Sequence, residues 1–277
     1  MNAVADAFWR AAAYCLLPRV ILLSLVPLLI AGGATLALSY FFWEPAVAGV
    51  RTLLEGWALI ETVLKWLDGV GAGGLRALIG PLVVVALALP VILVLTLLLV
   101  ALLMLPALVT LVVKRRFLPL QARRGAAFWQ SALWSLSCTA VALLALAVSV
   151  PFWFVPPLVL VLPPLIWGWL TCRVMAFDVL AEHASAAERR TILREHRWPL
   201  LAIGVVCGFL GAAPTLLWAL SAATLVFAPL LLLVSVWLYT LVFAFAALWF
   251  AHFALAVLQQ MRTTEATPIA PAMKALP

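Results

Sequence analysis

The chain has 277 residues, of which 68% are hydrophobic and only 10% charged, and its mean hydropathy is +1.23. No water-soluble core hides that much apolar surface, so composition excludes an ordinary soluble enzyme or binding domain. A net charge of +7 invites a nucleic-acid reading, but the basic residues flank apolar tracts and no recognition module surrounds them, so no nucleic-acid partner is expected.

The tracts themselves set the fold class. Residues 78–113 run for 36 positions without a charge, far beyond the short alternating segments of a β-barrel. Only helices satisfy their backbone groups over such lengths in lipid, so the chain is predicted to be an all-α polytopic membrane protein.

In chain order, residues 4–16 read as a short amphipathic helix ahead of Pro18, lying on the membrane surface or fraying as a tail. No signal peptide is apparent in this region. A first span is expected at 20–43 and a second at 78–113. Between them Arg51, Glu55, Glu61, Lys65 and Asp68 interleave with apolar residues in a helical pattern. Two arrangements fit: the first span continues past the membrane as a rod, or Pro45 begins a separate surface helix. After the second span comes KRRFLPLQARR, five basic residues with no acid.

A third apolar segment is expected at 132–150 and a fourth at 158–170, joined by PFWFVPPLVLVLPP. Its paired prolines, Pro156-Pro157 and Pro163-Pro164, sit in an uncharged setting that polar water-facing loops avoid. A re-entrant hairpin and two full spans with a tight turn both fit. The chain then turns polar. Ser185 followed by Glu188 is a capping box, which starts a short helix near Ala186 that stops before Pro199. Its Arg189, Arg190, Arg194 and Arg197 are predicted to face anionic lipid headgroups from the interface, with a plain solvated helix as the alternative. Residues 198–260 make two more helices with an uncharged connection, the second ending near Leu258. Residues 1–262 are taken as one membrane domain and 263–277 as a disordered tail.

With six membrane segments, fourteen basic residues fall on the side of the termini and three on the other, so both ends are expected to be cytoplasmic. Cys15, Cys138, Cys172 and Cys207 lie in or beside apolar tracts without CxxC spacing and read as small hydrophobes rather than ligands. His252, in LWFAHFAL, is the one histidine inside a span. An ionisable group there is a candidate proton or polar site, against a histidine merely satisfied by a neighbouring carbonyl. No catalytic motif, cofactor motif or metal-ligand cluster is present, and Asp178, Glu182, His183, Arg189 and Arg190 are expected to form an ordinary ion-pair network.

The opening AAAYCLLPRVILLSLVPLLIAG, with Arg19 and Pro27, resembles the CysZ-like sulfate permeases of the etoposide-induced-protein superfamily. So does the order of the later elements: two long helices, a proline-rich hairpin, FDVLAEHASAAERRTILREHRWPLLAIG and a final LWFAHFALAVLQQ. The resemblance implies a bacterial inner-membrane protein with two long transmembrane helices, two partly penetrating hairpins and a homo-oligomeric assembly that admits sulfate. It implies an anion site at a Gly-Leu-Arg motif near the start of the first long helix. Here that place reads Leu17-Pro18-Arg19, so the arginine carries over and the glycine does not. Proline donates no N–H to an oxyanion, which leaves the Arg19 charge and any later free amides of the helix start to hold it. The plainer role for Arg19 is a positive-inside anchor. The function expected is transport of sulfate or a related oxyanion, the alternative being a non-transporting scaffold that binds anionic lipids or partner proteins.

Overall fold

The computed structural model describes residues 2–56, 73–118, 120–123, 126–221 and 228–266. The amphipathic stretch around Glu61, Lys65 and Asp68, the connection before the last helix and the tail beyond Ala266 lie outside the described residues. Every regular element among those described is helical. Helix α1 spans Asn2–Cys15, α2 Pro18–Glu55, α3 Gly73–Leu99, a π-helical segment Val100–Met104 and α4 Leu105–Arg116. Then follow α5 (Phe128–Ser149), a 3-10 segment (Val150–Phe154), α6 (Pro156–Ala181), α7 (Ala186–Glu195), α8 (Arg197–Ser221) and α9 (Ala228–Ala266).

Among the described residues, five stretches are long and apolar enough to cross a membrane: Pro18–Leu54, Leu78–Arg116, Trp129–Phe154, Pro157–Ala181 and Leu233–Glu265. The all-α polytopic reading therefore holds.

The chain forms two compact units, one of residues 25–103 and one of residues 1–24 with 104–277. The smaller unit holds most of α2 and α3. Helix α2 passes through Pro45 without a break as far as Glu55, so no separate helix begins at Pro45, and the rest of the expected rod lies outside the described residues. At 38 residues it is about 57 Å long, well beyond a hydrocarbon core of about 30 Å. An exposed aromatic run, Tyr40 to Trp43, stands roughly 35 Å along it from Pro18. Exposed rings of this kind favour the headgroup level of a membrane. Further along α2, Arg51 lies across Gly80 of α3, where an added Cβ would come within 3.1 Å of the Arg51 Cγ.

The 78–113 tract does not run as one regular helix. It widens to π-helical geometry at Val100–Met104, just before Pro106 at the start of α4. Proline lacks the N–H that would close the α-helical turn, and the wider turn absorbs that loss.

In the larger unit α9 is the central helix. Ala244, Ala246 to Leu248, Trp249 to Leu255 and Leu258 are all buried. A helix apolar on every side is what a fully surrounded element requires. Helix α1 docks on it: Ala7 and Ala11 are buried, Phe8 sits edge-on to Phe245 and Trp249, and the Trp249 indole N–H donates to the Val4 carbonyl at 3.1 Å. The amphipathic N-terminal segment thus spends its apolar face on protein rather than lipid. Near the start of α2, the Trp237 indole donates to the Ser24 hydroxyl, and the Thr240 hydroxyl to the Ser24 carbonyl.

The closest helix crossing joins α6 and α8. A Cβ on Gly168 would stand 2.5 Å from the Val205 Cα, and one on Gly208 would stand 3.0 Å from the Pro164 carbonyl oxygen. Gly204 and Gly208 form a GxxxG pair, which lets two membrane helices meet backbone to backbone. That contact also corrects the expected fourth segment. Pro163 and Pro164 lie inside α6 rather than in the turn, and the carbonyl of Pro164 is covered by α8. Helix α9 likewise continues through residues 263–266, four positions expected to belong to the tail.

Candidate functional site

Arg19 is the second residue of α2, next to Pro18 at its first position, and is exposed. It has no hydrogen-bond or ion-pair partner among the described residues. The amides after it are not available as a cradle. The N–H groups of Val20 and Ile21 both donate to the Leu17 carbonyl, at 2.9 and 3.1 Å. Val20 is fully buried. Pro18 has no N–H at all. At this helix start the Arg19 guanidinium attracts an anion by charge, without the row of free backbone donors that usually completes such a site.

His252 is buried in α9 at 1% exposure, where α1, α4 and α9 converge. The Arg116 Nη1 faces its Nδ1 at 3.5 Å, and Tyr14 meets the ring edge-on at 4.7 Å between centroids. A guanidinium has no acceptor, so Nδ1 accepts and the ring proton sits on Nε2. That Nε2 is buried with no hydrogen-bond partner. The helix runs to Ala266, which places His252 nearly four turns from its end, deeper than the two turns expected from sequence. Arg116 reaches Asp6 at 3.5 Å, and Asp6 also accepts from the Arg10 Nε at 2.8 Å. The Arg10 hydrogen bond holds the Asp6 carboxyl below its ordinary range, and the same bond raises Arg10. Arg115 lies 5.8 Å over the Tyr14 ring. Three cations and one carboxylate are thus gathered around the histidine's helix face.

A second cluster is centred on Glu188 of α7. The Ser185 hydroxyl accepts from the Glu188 N–H at 3.2 Å and the Ser185 N–H donates to Glu188 Oε2 at 2.6 Å, completing the capping box. The same carboxylate takes the Arg262 Nε at 2.8 Å and Nη2 at 3.1 Å, and the Arg123 Nη1 at 2.9 Å. Arg262 further donates to the carbonyls of Gln121 and His183, at 2.9 and 2.7 Å. This clasp ties α9, α7, the end of α6 and the α4–α5 loop together. Led by the Arg262 hydrogen bond, it lowers the Glu188 carboxyl to about 2. Burial lowers His183.

The four arginines of this region divide. Arg190, Arg194 and Arg197 are exposed, whereas Arg189 is buried, with its guanidinium 4.2 Å over the Phe177 ring and Phe177 stacked on Trp134. The expectation that Arg189 faces headgroups is therefore corrected: it turns inward because an aromatic stack receives it. Burial, and then Arg190, lower its proton affinity. The expected ion-pair network is also different. Asp178 accepts from the Ser131 hydroxyl, Glu182 is exposed, and the ion pairs gather at Glu188. Sequence reasoning missed Arg262 and Arg123 as partners, because nothing local links positions 65 and 74 residues from Glu188. The GxxxG spacing was the one unread signal.

The four cysteines are free, and three are buried. Among the described residues no group of three or more His, Cys, Asp or Glu side chains gathers to hold a metal. No curated protein and no solved structure matches the chain. One family does: sulfate transporter CysZ/etoposide-induced protein 2.4, over residues 7–222.

Proposed function

The chain belongs to the sulfate transporter CysZ/etoposide-induced protein 2.4 family, and on that footing we propose that it moves sulfate or a closely related oxyanion across the membrane. The family match carries this reading. It indicates a transporter-like role in general, as befits a transporter family rather than an enzyme family, and several helices suited to spanning fit a multi-pass membrane protein.

Arg19 is proposed as the anion's cationic contact, since it is exposed at a helix start without a partner among the described residues. Because the neighbouring amides are engaged, it acts by charge and not as part of a backbone nest. The protein is proposed to sit in a bacterial inner membrane with both termini cytoplasmic, following the fourteen-to-three division of basic residues, and to work as a homo-oligomer. His252 is proposed as a buried polar element of the Arg116–Asp6 cluster rather than the primary anion contact.

The test is uptake of labelled sulfate by proteoliposomes holding the full chain. Flux no greater than in empty vesicles sinks transport and favours the scaffold alternative. Unchanged flux after Arg19→Ala sinks the site while leaving the function standing.

A further inference from the structure

Helix α7 presents charge on two faces with different fates. Its inner face, Glu188, Arg189 and Ile192, is buried, with Glu188 in the clasp and Arg189 on Phe177. Its outer face carries Arg190 and Arg194, continued across the His196 break by Arg197. All three are exposed, and none is paired with a carboxylate among the described residues. Arg190 and Arg194, four residues apart, share one side of α7, and Arg197 follows at the start of α8.

The next residue, Trp198, begins the apolar part of α8 and is 68% exposed, with the Arg197 guanidinium 5.3 Å from its ring centroid. Trp129 opens a membrane-length stretch and is 75% exposed. The Ala126 N–H bonds the Ala181 carbonyl, so the approach to α5 lies level with the end of α6, next to α7. Exposed tryptophans where spans begin are the chemistry of the headgroup region. The cationic stripe therefore lies where phospholipid phosphates are, and a guanidinium forks two phosphate oxygens.

We propose that Arg190, Arg194 and Arg197, with Trp198, bind the phosphate of an anionic phospholipid, and that lipid held there braces the Glu188–Arg262 clasp on the opposite face of the same helix. The occupant is a lipid because the stripe adjoins a helix start at bilayer level and its charge complements an anionic headgroup. The coupling follows from the helix itself, since ten residues fixed by one capping box move as a body. A ligand that holds the native α7 therefore raises the stability of the fold it clasps.

Thermal denaturation of the full chain in neutral detergent tests this, with phosphatidylglycerol, phosphatidylcholine or inorganic phosphate added at equal headgroup concentration. Phosphatidylglycerol is expected to raise the Tm by about 2–4 °C and phosphatidylcholine not to. In the triple variant Arg190→Gln, Arg194→Gln, Arg197→Gln the rise disappears. An equal rise with phosphatidylcholine, or a rise kept by the triple variant, overturns the proposal. A rise of the same size with inorganic phosphate shows a free-anion site and overturns the lipid assignment. Native mass spectrometry counts phosphatidylglycerol retained below the Tm of both proteins, which decides the case even if the triple variant is less stable. Wild type keeps more bound lipid than the variant, and equal retention overturns the idea. Glu188→Gln is expected to lower the Tm in detergent and, because coupling between two sites is reciprocal, to retain less phosphatidylglycerol than wild type; retention equal to wild type would overturn the bracing.

Discussion

Arg262 and Glu188 meet fork to fork, Nε to Oε1 at 2.8 Å and Nη2 to Oε2 at 3.1 Å. Glu188 is 6% exposed and Arg123 supplies a third N–H from the other side. Removing one partner from such a buried, bidentate pair leaves an unanswered charge. Glu188→Gln is expected to cost about 3 kcal/mol, read as a lowered midpoint of thermal unfolding in detergent. Arg262→Lys is expected to fall between, since an ammonium cannot make both parallel bonds.

The same carboxyl sets an acid limit. Its folded value of about 2 lies below the ordinary 4.5, so the folded state binds this proton less tightly than the unfolded chain does. The stabilisation is complete above about pH 4.5 and fades as pH falls toward 2, amounting to at most about 3 kcal/mol. Unfolding midpoints measured from pH 6 to pH 3 are expected to fall more steeply in wild type than in Glu188→Gln. Parallel curves would show that Glu188 is not the titrating group.

At the α6–α8 crossing no space exists for a side chain at Gly204, where an added Cβ would run into the Gly168 carbonyl. Gly204→Val is expected to destabilise the fold by about 3 kcal/mol or to block its assembly. Gly211, about two turns further along α8, has nothing within 4 Å of a Cβ among the described residues. There Gly211→Ala is expected to be neutral or stabilising by about 0.5 kcal/mol. Equal tolerance at the two sites, scored by yield of monodisperse protein, would contradict the close crossing.

Arg19 acting by charge alone makes a prediction about its replacement. Arg19→Lys keeps the charge and loses only the planar fork, so at least half of the sulfate flux is expected to remain. Arg19→Ala is expected to lose about tenfold, equivalent to about 1.4 kcal/mol. If lysine proves as damaging as alanine, bidentate geometry matters and the charge-only role is wrong.

His252 holds a buried N–H without an acceptor, a group whose desolvation costs about 1–3 kcal/mol. His252→Leu is expected to leave the melting temperature unchanged or raise it, and to leave the pH profile of flux between 5.5 and 8 intact. A profile that flattens in the variant would instead make His252 the proton carrier that an intramembrane histidine invites.

Several of these features were legible beforehand, and the reasons differ. The Ser185–Glu188 box was readable because capping is a local matter of three residues. Spans followed from apolar length. Pro163-Pro164 misled because a proline pair ends helices in water, while in this chain the pair lies inside α6, where α8 crosses closely against it. Arg189 misled for a related reason. A rule that sends charge outward fails where an aromatic stack lies beneath the helix, and Phe177 and Trp134 come from two other helices. The amides of Val20 and Ile21 are used up by the carbonyl of Leu17, a turn that leaves no mark in composition. The family resemblance was read from the opening segment and the order of the elements, and the family model matches over residues 7–222.

The clasp also has an order in time. Gln121, Arg123, His183 and Glu188 all leave the ribosome before Arg262 does, and each waits for that one guanidinium. Until it arrives Glu188 has only Arg123 and its own capping box to answer it, and the carbonyls of Gln121 and His183 lack the donor that later joins them. Closure on this face therefore waits for α9, whatever the order in which the earlier spans enter the membrane.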